Sequence, residues 1–294
     1  MHILLTGGTG FIGSALCDSL SEDGCQLTIL SRQQQPAYSK ARYVSNLDQV
    51  DASTSIDAVI NLAGASLADR RWSDTYKQEL LSSRLDTTRA VVDLIRRLDS
   101  PPGVLLSASA IGYYGHHQDE RLAEDGVSTG GFAAQLCQRW ESEAMALEDT
   151  GVRICLLRLG VVLDRHGGAM EQMARPFQFG VANWLGGGDQ WLSWIHRQDV
   201  VAGIRFLLEH EELSGPVNLT APEAVTSRGF CSAMKRRKRT FITMGVPAPV
   251  LKLAVGEMAE ELLLNGQRVE PAALSGAGFQ FSYPDLDLAL EAIL

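Results

Sequence analysis

Apolar residues follow two alternating patterns along the chain: short continuous runs, and runs with helical spacing. Residues 3–5 are Ile-Leu-Leu, a glycine-rich stretch follows, and then Ile12, Leu16 and Leu20 recur every four residues. A short continuous apolar run favours a buried strand, and a four-residue repeat favours a helix. The chain therefore begins with a predicted strand, a glycine turn and a predicted helix.

The same alternation continues through the first two-thirds of the sequence. Strands are predicted at residues 26–30, 58–62, 104–107, 153–157 and 217–219. Helices are predicted at residues 74–97 and 132–148, and another is predicted to run from Asp199, as its N-terminal cap, through Phe206. Alternating strands and helices are typical of a parallel sheet covered on both faces. We therefore predict an α/β protein with a Rossmann-type, doubly wound parallel sheet.

After residue 163 the pattern changes. The last 75 residues are predicted to be mostly helical, most clearly at residues 251–264 and 286–294. Residues 164–195 are rich in glycine and hold five aromatic side chains that we expect to line a pocket: Phe177, Phe179, Trp184, Trp191 and Trp194. We predict a larger nucleotide-binding domain of residues 1–163, to which 196–221 return. A smaller, mostly helical C-terminal lobe of residues 164–195 and 222–294 would lie on the substrate side.

The glycines between the first strand and helix stand three residues apart. A helix N-terminus offers N–H groups and positive potential to a pyrophosphate, and glycines let the backbone approach the phosphates. A strand, a glycine turn and a helix in succession predict a dinucleotide-binding site, whereas the spacing alone would also fit a chance glycine-rich turn. The predicted contacts are Thr6, Gly7, Gly10, Phe11, Ile12 and Gly13.

The end of the second predicted strand indicates which nucleotide is bound. An acidic residue there accepts hydrogen bonds from a free ribose 2′-hydroxyl, while an arginine accommodates a 2′-phosphate. This strand ends in Ser31 and Arg32, without an acidic residue. Arg32 can donate a fork of hydrogen bonds to a phosphate, and Ser31 can add a hydroxyl donor. We predict NADP(H) as the cofactor; an ordinary surface arginine in a glutamine-rich loop (Gln33–Gln35) is the alternative.

Composition narrows the range of partners. The formal net charge is −9, which argues against nucleic acid, and no apolar stretch is long enough to span a membrane. The one basic run, residues 235–239, is interpreted as a solvated helix end. Five scattered cysteines without a CxxC pair, and no signal-like N-terminal segment, predict reduced thiols in a cytoplasmic protein. We expect a small-molecule substrate, possible pairing into a homodimer, and no metal site, since the six histidines lack ligand spacing.

Several motifs together resemble a known family. They are residues 6–13 (TGGTGFIG), 61–64 (NLAG), 70–72 (RRW), 83–85 (SRL), 109–115 (SAIGYYG), 140–141 (WE), 158–162 (RLGVV) and 194–196 (WIH). In this combination the chain resembles extended short-chain dehydrogenases/reductases. More narrowly, it is similar to the atypical NADP-binding "epimerase family protein" branch, which carries a C-terminal domain of unknown function. The likeness covers essentially the full length.

The resemblance implies further cofactor contacts. Leu62 and Ala63 would pass beside the adenine and its ribose, and Val162 would flank the nicotinamide. Glu79 and Arg84, five residues apart on the long helix, would lie near the cofactor; a solvated helix face is the alternative for both.

The resemblance also implies a catalytic Ser, Tyr and Lys, and here the sequence departs from it. Ser109 fits the Ser position at the end of the fifth strand. Ala133 and Cys137 occupy the Tyr and Lys positions in one register, and Phe132 and Leu136 occupy them in the other. Neither register supplies a phenol or an ammonium. General acid–base catalysis typically contributes roughly two to four powers of ten in rate. We therefore expect a reaction that depends on this Tyr and Lys to be very slow.

Other side chains offer substitutes. A phenol from Tyr113 or Tyr114 could reach a substrate oxygen, although both could instead pack under the C-terminal lobe. His196 and Asp199 are interpreted as structural, and Cys137 as a small core residue.

Three functions remain open. The first is an NADP(H)-dependent oxidoreductase that uses Ser109 and Tyr113. The second is a non-catalytic NADP(H)-binding sensor or regulator, which the missing Tyr and Lys favour. The third and weakest is a nucleotide-sugar epimerase, which would need the same Tyr.

Overall fold

The computed structural model describes residues 1–32, 41–165 and 167–294. The strands in these residues are β1 (His2–Thr6), β2 (Gln26–Leu30), β3 (Arg42–Val44), β4 (Ala58–Asn61), β5 (Val104–Ala110), β6 (Arg121–Leu122), β7 (Arg153–Leu159), β8 (Val161–Leu163), β9 (Val181–Leu185), β10 (Trp191–Leu192), β11 (Trp194–His196), β12 (Gly215–Leu219), β13 (Val225–Thr226), β14 (Ile242–Val246) and β15 (Arg268–Val269). The helices are α1 (Phe11–Glu22), α2 (Asp74–Arg97), α3 (Phe132–Met145), α4 (Gly168–Gln178), α5 (Arg197–Glu209), α6 (Ser227–Arg237), α7 (Ala248–Val255), α8 (Ala272–Gly276) and α9 (Leu286–Ile293).

Seven strands form one parallel sheet in the order β12-β7-β5-β4-β1-β2-β3. The sheet order reverses direction at β1, since β2 lies on one side of it and β4 on the other. In an open α/β sheet the crevice at such a switch point, beyond the carboxyl ends of the strands, is where ligands bind. The predicted Rossmann-type sheet is confirmed.

Both faces of the sheet are buried, and successive residues of β1 face opposite ways. Ile3 and Leu5 pack in one apolar cluster with the inner sides of α1 and α5. Leu4 packs in a second cluster with α2 and α3. A strand that is covered on both faces has no side that faces solvent. The sequences of these strands are therefore continuous apolar runs.

Most predicted elements are present, and some boundaries differ. Strand β2 and helix α2 have the predicted limits, while β5 and β7 run on to Ala110 and Leu159. The prediction that Asp199 caps a helix is wrong. Helix α5 begins two residues earlier, and its cap is His196, whose Nδ1 accepts a hydrogen bond from the Gln198 N–H.

The C-terminal part is less regular than predicted. The prediction of a single helix over residues 251–264 is wrong. Gly256, with φ of +67°, ends α7, and a separate helical turn follows at Ala259–Leu264. Short strands that the sequence did not predict also occur: β14 pairs with β9, and β15 pairs with β6. Strand β12 joins the main sheet beside β7, and the division into domain and lobe stays a prediction.

The basic run at residues 235–239 lies at the end of α6, as predicted. Two of its members, Arg236 and Arg237, pair with Asp287 of α9. Among the described residues, no helix combines the length and the apolar character that a membrane span requires.

Candidate functional site

The glycine turn after β1 brings three chain segments unusually close together. Gly7 has φ of +72°, and a Cβ built on it would lie 2.7 Å from the Leu62 carbonyl group. A Cβ on Gly13 would overlap the Gly7 carbonyl oxygen. These two positions therefore require glycine for the start of α1 to lie against the turn and the loop after β4.

Gly10 has a different role. Its φ is −83°, which any residue can adopt, and a Cβ there would meet only the Gly7 oxygen at 3.1 Å. Gly10 is the N-cap of α1 and supplies no side-chain cap to the first turn. The open space beside it and the N-terminal N–H groups of α1 form a cradle that fits a pyrophosphate.

Beneath this cradle a buried polar network fixes the loops. The Thr6 hydroxyl donates to Asn61 Oδ1 at 2.6 Å and accepts from the Ala63 N–H at 3.2 Å. The Asn61 amide in turn donates to Thr88 Oγ1 of α2 at 2.9 Å. Thr6 is buried, so its side chain supports the site from below, while the predicted contacts Leu62 and Ala63 are partly exposed above it.

At the end of β2 the structure leaves a guanidinium group exposed. Ser31 is buried and its N–H donates to the Val44 carbonyl at 2.9 Å. Arg32 is exposed, and none of the ion pairs formed by the described residues includes it. Gln33–Gln35, on which the alternative interpretation of Arg32 depended, lie outside the described residues.

The predicted pair of Glu79 and Arg84 is separated in the structure. Arg84 is buried under the loop after β4, where it donates to the Ala65 carbonyl at 2.9 Å and lies 5.0 Å from the Trp140 ring. Burial lowers the pKa of Arg84, and no carboxylate of the described residues pairs with it. Glu79 is half exposed and pairs with Arg70 at 3.2 Å.

The far wall of the crevice packs on the start of α1. Val162 lies on β8, paired with Ile195 of β11, and is partly exposed. Arg197 donates to the Phe11 carbonyl at 3.2 Å, and its guanidinium lies 5.0 Å from the Phe11 ring. Arg197, the first residue of α5, thus holds the first residue of α1 in place.

A second buried polar network lies at the end of β5. The Ser109 hydroxyl donates to Glu141 Oε1 at 2.6 Å, and Arg158 donates to the same carboxylate at 2.9 Å and 3.0 Å. All three side chains are nearly inaccessible to solvent. Burial alone would lower the pKa of Arg158, but the hydrogen bonds and charge of Glu141 raise it above its usual value. Ser109 is therefore held inward rather than presented to solvent.

The structure distinguishes the two candidate tyrosines. Tyr114 is fully buried; its hydroxyl donates to Asn218 Oδ1 at 2.7 Å and accepts from Arg158 at 3.1 Å. Burial raises the pKa of Tyr114, and its burial together with these two hydrogen bonds gives it a structural role. Tyr113 is partly exposed, and the Arg158 guanidinium lies 3.5 Å from its ring centre. Of the two phenols, Tyr113 is the one that a ligand can reach.

Helix α3 presents no acid in place of the missing Tyr and Lys. Ala133 and Cys137 are buried against Gly112, where a Cβ would lie 3.3 Å and 3.7 Å from their side chains. Burial raises the pKa of Cys137 to about 11, so its thiol is neutral near neutral pH.

Two features of the site were not predicted. Glu261, from the turn at Ala259–Leu264, caps α3 by accepting hydrogen bonds from the Phe132 and Ala133 N–H groups at 3.3 Å and 3.0 Å. The Glu141–Arg158 ion pair was also missed. Its signal was present, since Glu141 falls on the apolar face of α3 and Arg158 inside an apolar strand, and such residues are buried only when paired.

The prediction that five aromatic side chains of residues 164–195 line one pocket is wrong, because only Phe177, Trp184 and Trp194 pack together, and they do so in an apolar core. Phe177 and Trp194 are buried in the C-terminal apolar core, whereas Phe179 is exposed. Trp191 instead donates to Asp119 at 2.9 Å, and Trp184 lies against Arg228.

His196 and Asp199 have structural roles, as interpreted. Asp199 accepts hydrogen bonds from the Ser282 and Tyr283 N–H groups, both at 2.9 Å, and so anchors the C-terminal chain. Burial lowers the pKa of His196, whose ring lies 3.9 Å from that of Tyr283.

Comparison with known proteins places this geometry among relatives. The model of the NAD dependent epimerase/dehydratase family matches residues 3–219, and that of a domain of unknown function (DUF1731) matches residues 246–293. Epimerase family protein ML0860 of Mycobacterium leprae is 37% identical over 293 residues, 98% of this chain and 94% of the relative. Epimerase family protein YfhF of Bacillus subtilis is 37% identical over 300 residues, 100% of this chain and 98% of the relative. The crystal structure of human epimerase family protein SDR39U1 (isoform 2) with NADPH matches with a TM-score of 0.89 and 33% identity, over 100% of this chain and 99% of that one.

Proposed function

The chain belongs to the NAD dependent epimerase/dehydratase family, and we propose that it is an NADP(H)-dependent oxidoreductase acting on a small molecule. The observation that carries the proposal is the cradle at Gly10, where the N-terminus of α1 is open to a pyrophosphate. A reduced nicotinamide bound there would supply a hydride to a substrate carbon. The chain's own residues have to hold the two phosphates, orient the substrate and move a proton.

Selectivity for NADP(H) over NAD(H) is supported by the end of β2. Arg32 is exposed and without an ion-pair partner among the described residues, and the sequence provides no acidic residue at this position. The related human protein SDR39U1 is described with NADPH, which supports the same cofactor here.

Replacing Arg32 with alanine is expected to weaken NADPH binding by about 1.5–3 kcal/mol, the range for a hydrogen bond to a charged group. NADH has no 2′-phosphate, so its affinity should barely change. Titration calorimetry with both cofactors measures the difference. Arg42→Ala is the matched control, because Arg42 lies on the adjacent strand and donates to the Gln49 carbonyl. Equal losses for NADH and NADPH would contradict a 2′-phosphate contact.

Proton transfer in the proposed reaction is assigned to Tyr113. It is the accessible phenol just after β5, and the Arg158 guanidinium, 3.5 Å from its ring centre, holds the ring in place at the edge of the crevice. Ser109 is proposed to orient the substrate oxygen, which requires its hydroxyl to exchange Glu141 for the substrate.

A non-catalytic NADP(H)-binding role is the second candidate function. Ala133 and Cys137 favour it, since alanine has no proton to donate and the Cys137 thiol is buried against Gly112, where a substrate cannot reach it. In that role the cofactor would report the redox state of the cell to a partner.

Turnover of ordinary aldehydes, ketones and quinones is expected to be very low, although NADPH binds. In the best substrate of such a screen, Tyr113→Phe should reduce the rate by about a hundredfold or more, the range for loss of a general acid. Following NADPH oxidation in the wild type, Tyr113→Phe and Ser109→Ala tests this. Rapid turnover that survives both changes would show that the acid lies elsewhere. NADPH binding without any turnover would favour the non-catalytic role.

A further inference from the structure

Basic and acidic residues are distributed unevenly along this chain. Residues 224–256 contain seven Lys or Arg residues and no Asp or Glu, although the whole chain has a formal net charge of −9. Arg236 and Arg237 share the Asp287 carboxylate, and Lys252 pairs with Glu260. Among the described residues, none of the ion pairs includes Lys235, Lys238 or Arg239. A concentrated positive charge therefore remains on an otherwise acidic protein.

The same part of the molecule exposes apolar side chains. The described residues contain nine exposed large apolar side chains, and six of them lie on this segment or directly beside it. Their exposed fractions range from 50% for Met244 to 80% for Leu253. The six are Phe179, Phe241, Ile242, Met244, Val250 and Leu253. Helix α7 has no buried residue at all.

Backbone contacts place part of these side chains together, and β14 and α7 continue from them along the chain; we name Phe179 and residues 235–253 the basic–apolar face. The N–H groups of Phe241 and Ile242 both donate to the Gly180 carbonyl, at 2.7 Å and 3.2 Å, which places them beside Phe179. The Arg239 guanidinium lies 5.5 Å from the Phe241 ring centre. Within the described part of the chain, β9 is the single strand that pairs with β14, and α7 follows after Pro247.

We propose that the basic–apolar face is a docking surface for an anionic phospholipid bilayer, on which the protein lies peripherally. Lysine and arginine side chains beside protruding Phe and Leu side chains match an interface of anionic headgroups above acyl chains. A second copy fits less well, because two faces of the same positive charge repel. A nucleic acid fits less well too, since a phosphate backbone offers nothing to Ile242, Met244 or Leu253.

An interfacial contact differs from a membrane span. The sequence predicts no membrane partner, because no apolar stretch is long enough to cross a bilayer. A peripheral contact needs only exposed side chains, and the sequence alone does not indicate that α7 and β14 leave theirs uncovered.

Sedimentation with vesicles tests the proposal on the full chain. Binding is expected to vesicles of equal parts phosphatidylglycerol and phosphatidylcholine, and not to phosphatidylcholine alone. It should fall as salt rises, since exposed charges are screened. Phe241→Ser and Leu253→Ser should each reduce the partition coefficient about tenfold through lost apolar burial. Lys238→Gln and Arg239→Gln should each reduce it about fivefold, the value of one basic residue at an anionic surface.

Two matched controls lie outside the basic–apolar face. Val127→Ser removes an apolar side chain that is 71% exposed, and Arg139→Gln removes an exposed cation on α3. Both should bind the anionic vesicles like the wild type, and all variants should keep the wild-type thermal midpoint. Three results would overturn the proposal: no binding to anionic vesicles at low salt, equal binding to neutral ones, or unchanged binding by the four face variants. Light scattering that shows a dimer which the face variants convert to monomers would assign the face to a second copy instead.

Discussion

Replacing Gly10 with valine is expected to abolish NADPH binding while the protein stays folded. The backbone of Gly10 is compatible with a side chain, because φ is −83° and a Cβ would meet only the Gly7 oxygen, at 3.1 Å. A branched side chain would fill the space where the pyrophosphate has to approach the N-terminus of α1. Losing two charge-assisted hydrogen bonds at about 1.5–3 kcal/mol each lowers the affinity by more than about a hundredfold.

Titration calorimetry and thermal unfolding of the same samples check this result. Gly13→Val is the contrasting variant, because a Cβ there would overlap the Gly7 carbonyl oxygen and force α1 away from the turn. It should lose thermal stability as well as binding. If Gly10→Val binds NADPH like the wild type, the phosphates do not lie on this turn.

Replacing Glu141 with alanine is expected to lower the free energy of unfolding by about 3–5 kcal/mol, the cost of breaking a buried ion pair. The Arg158 guanidinium would keep its charge in a buried site without the carboxylate that accepts two of its hydrogen bonds. Urea unfolding measures the change. Glu143→Ala on the same helix is the matched control, since its pair with Arg89 is partly exposed to solvent and its loss should cost far less stability.

A double variant separates charge from packing in this network. Glu141→Leu with Arg158→Met replaces both charges by apolar side chains of similar size. It should recover much of the lost stability, since apolar replacements of a buried pair are often neutral or stabilising. Equal losses in Glu141→Ala and Glu143→Ala would contradict the view that Arg158 depends on this carboxylate.

The fold and the glycine turn after β1 were predictable because their signals are local. The strand, the glycines and the helix around Gly10 are contiguous, and the limits of α2 follow from its helical periodicity. Residues 26–30 form a strand as predicted because one short apolar run forms one buried strand.

What could not be predicted depends on pairing across the chain. Tyr113 and Tyr114 are adjacent in sequence. Only the fold shows that Asn218, 104 positions away from Tyr114, accepts a hydrogen bond from the Tyr114 hydroxyl. Asp199 has the residue type of a helix cap, but the distant Ser282 and Tyr283 N–H groups hold its carboxylate instead. Two-residue strands such as β15 are too short for any periodicity.

The cap that Glu261 places on α3 has a consequence for how the protein is made. The N–H groups of Phe132 and Ala133 face a carboxylate that the ribosome adds about 128 residues later. Until the segment that holds Glu261 has emerged and folded back, these two N–H groups of α3 can donate hydrogen bonds only to water. Completion of the crevice is thus tied to late translation, and a nascent chain that stalls before Glu261 would carry a formed sheet with an unfinished site.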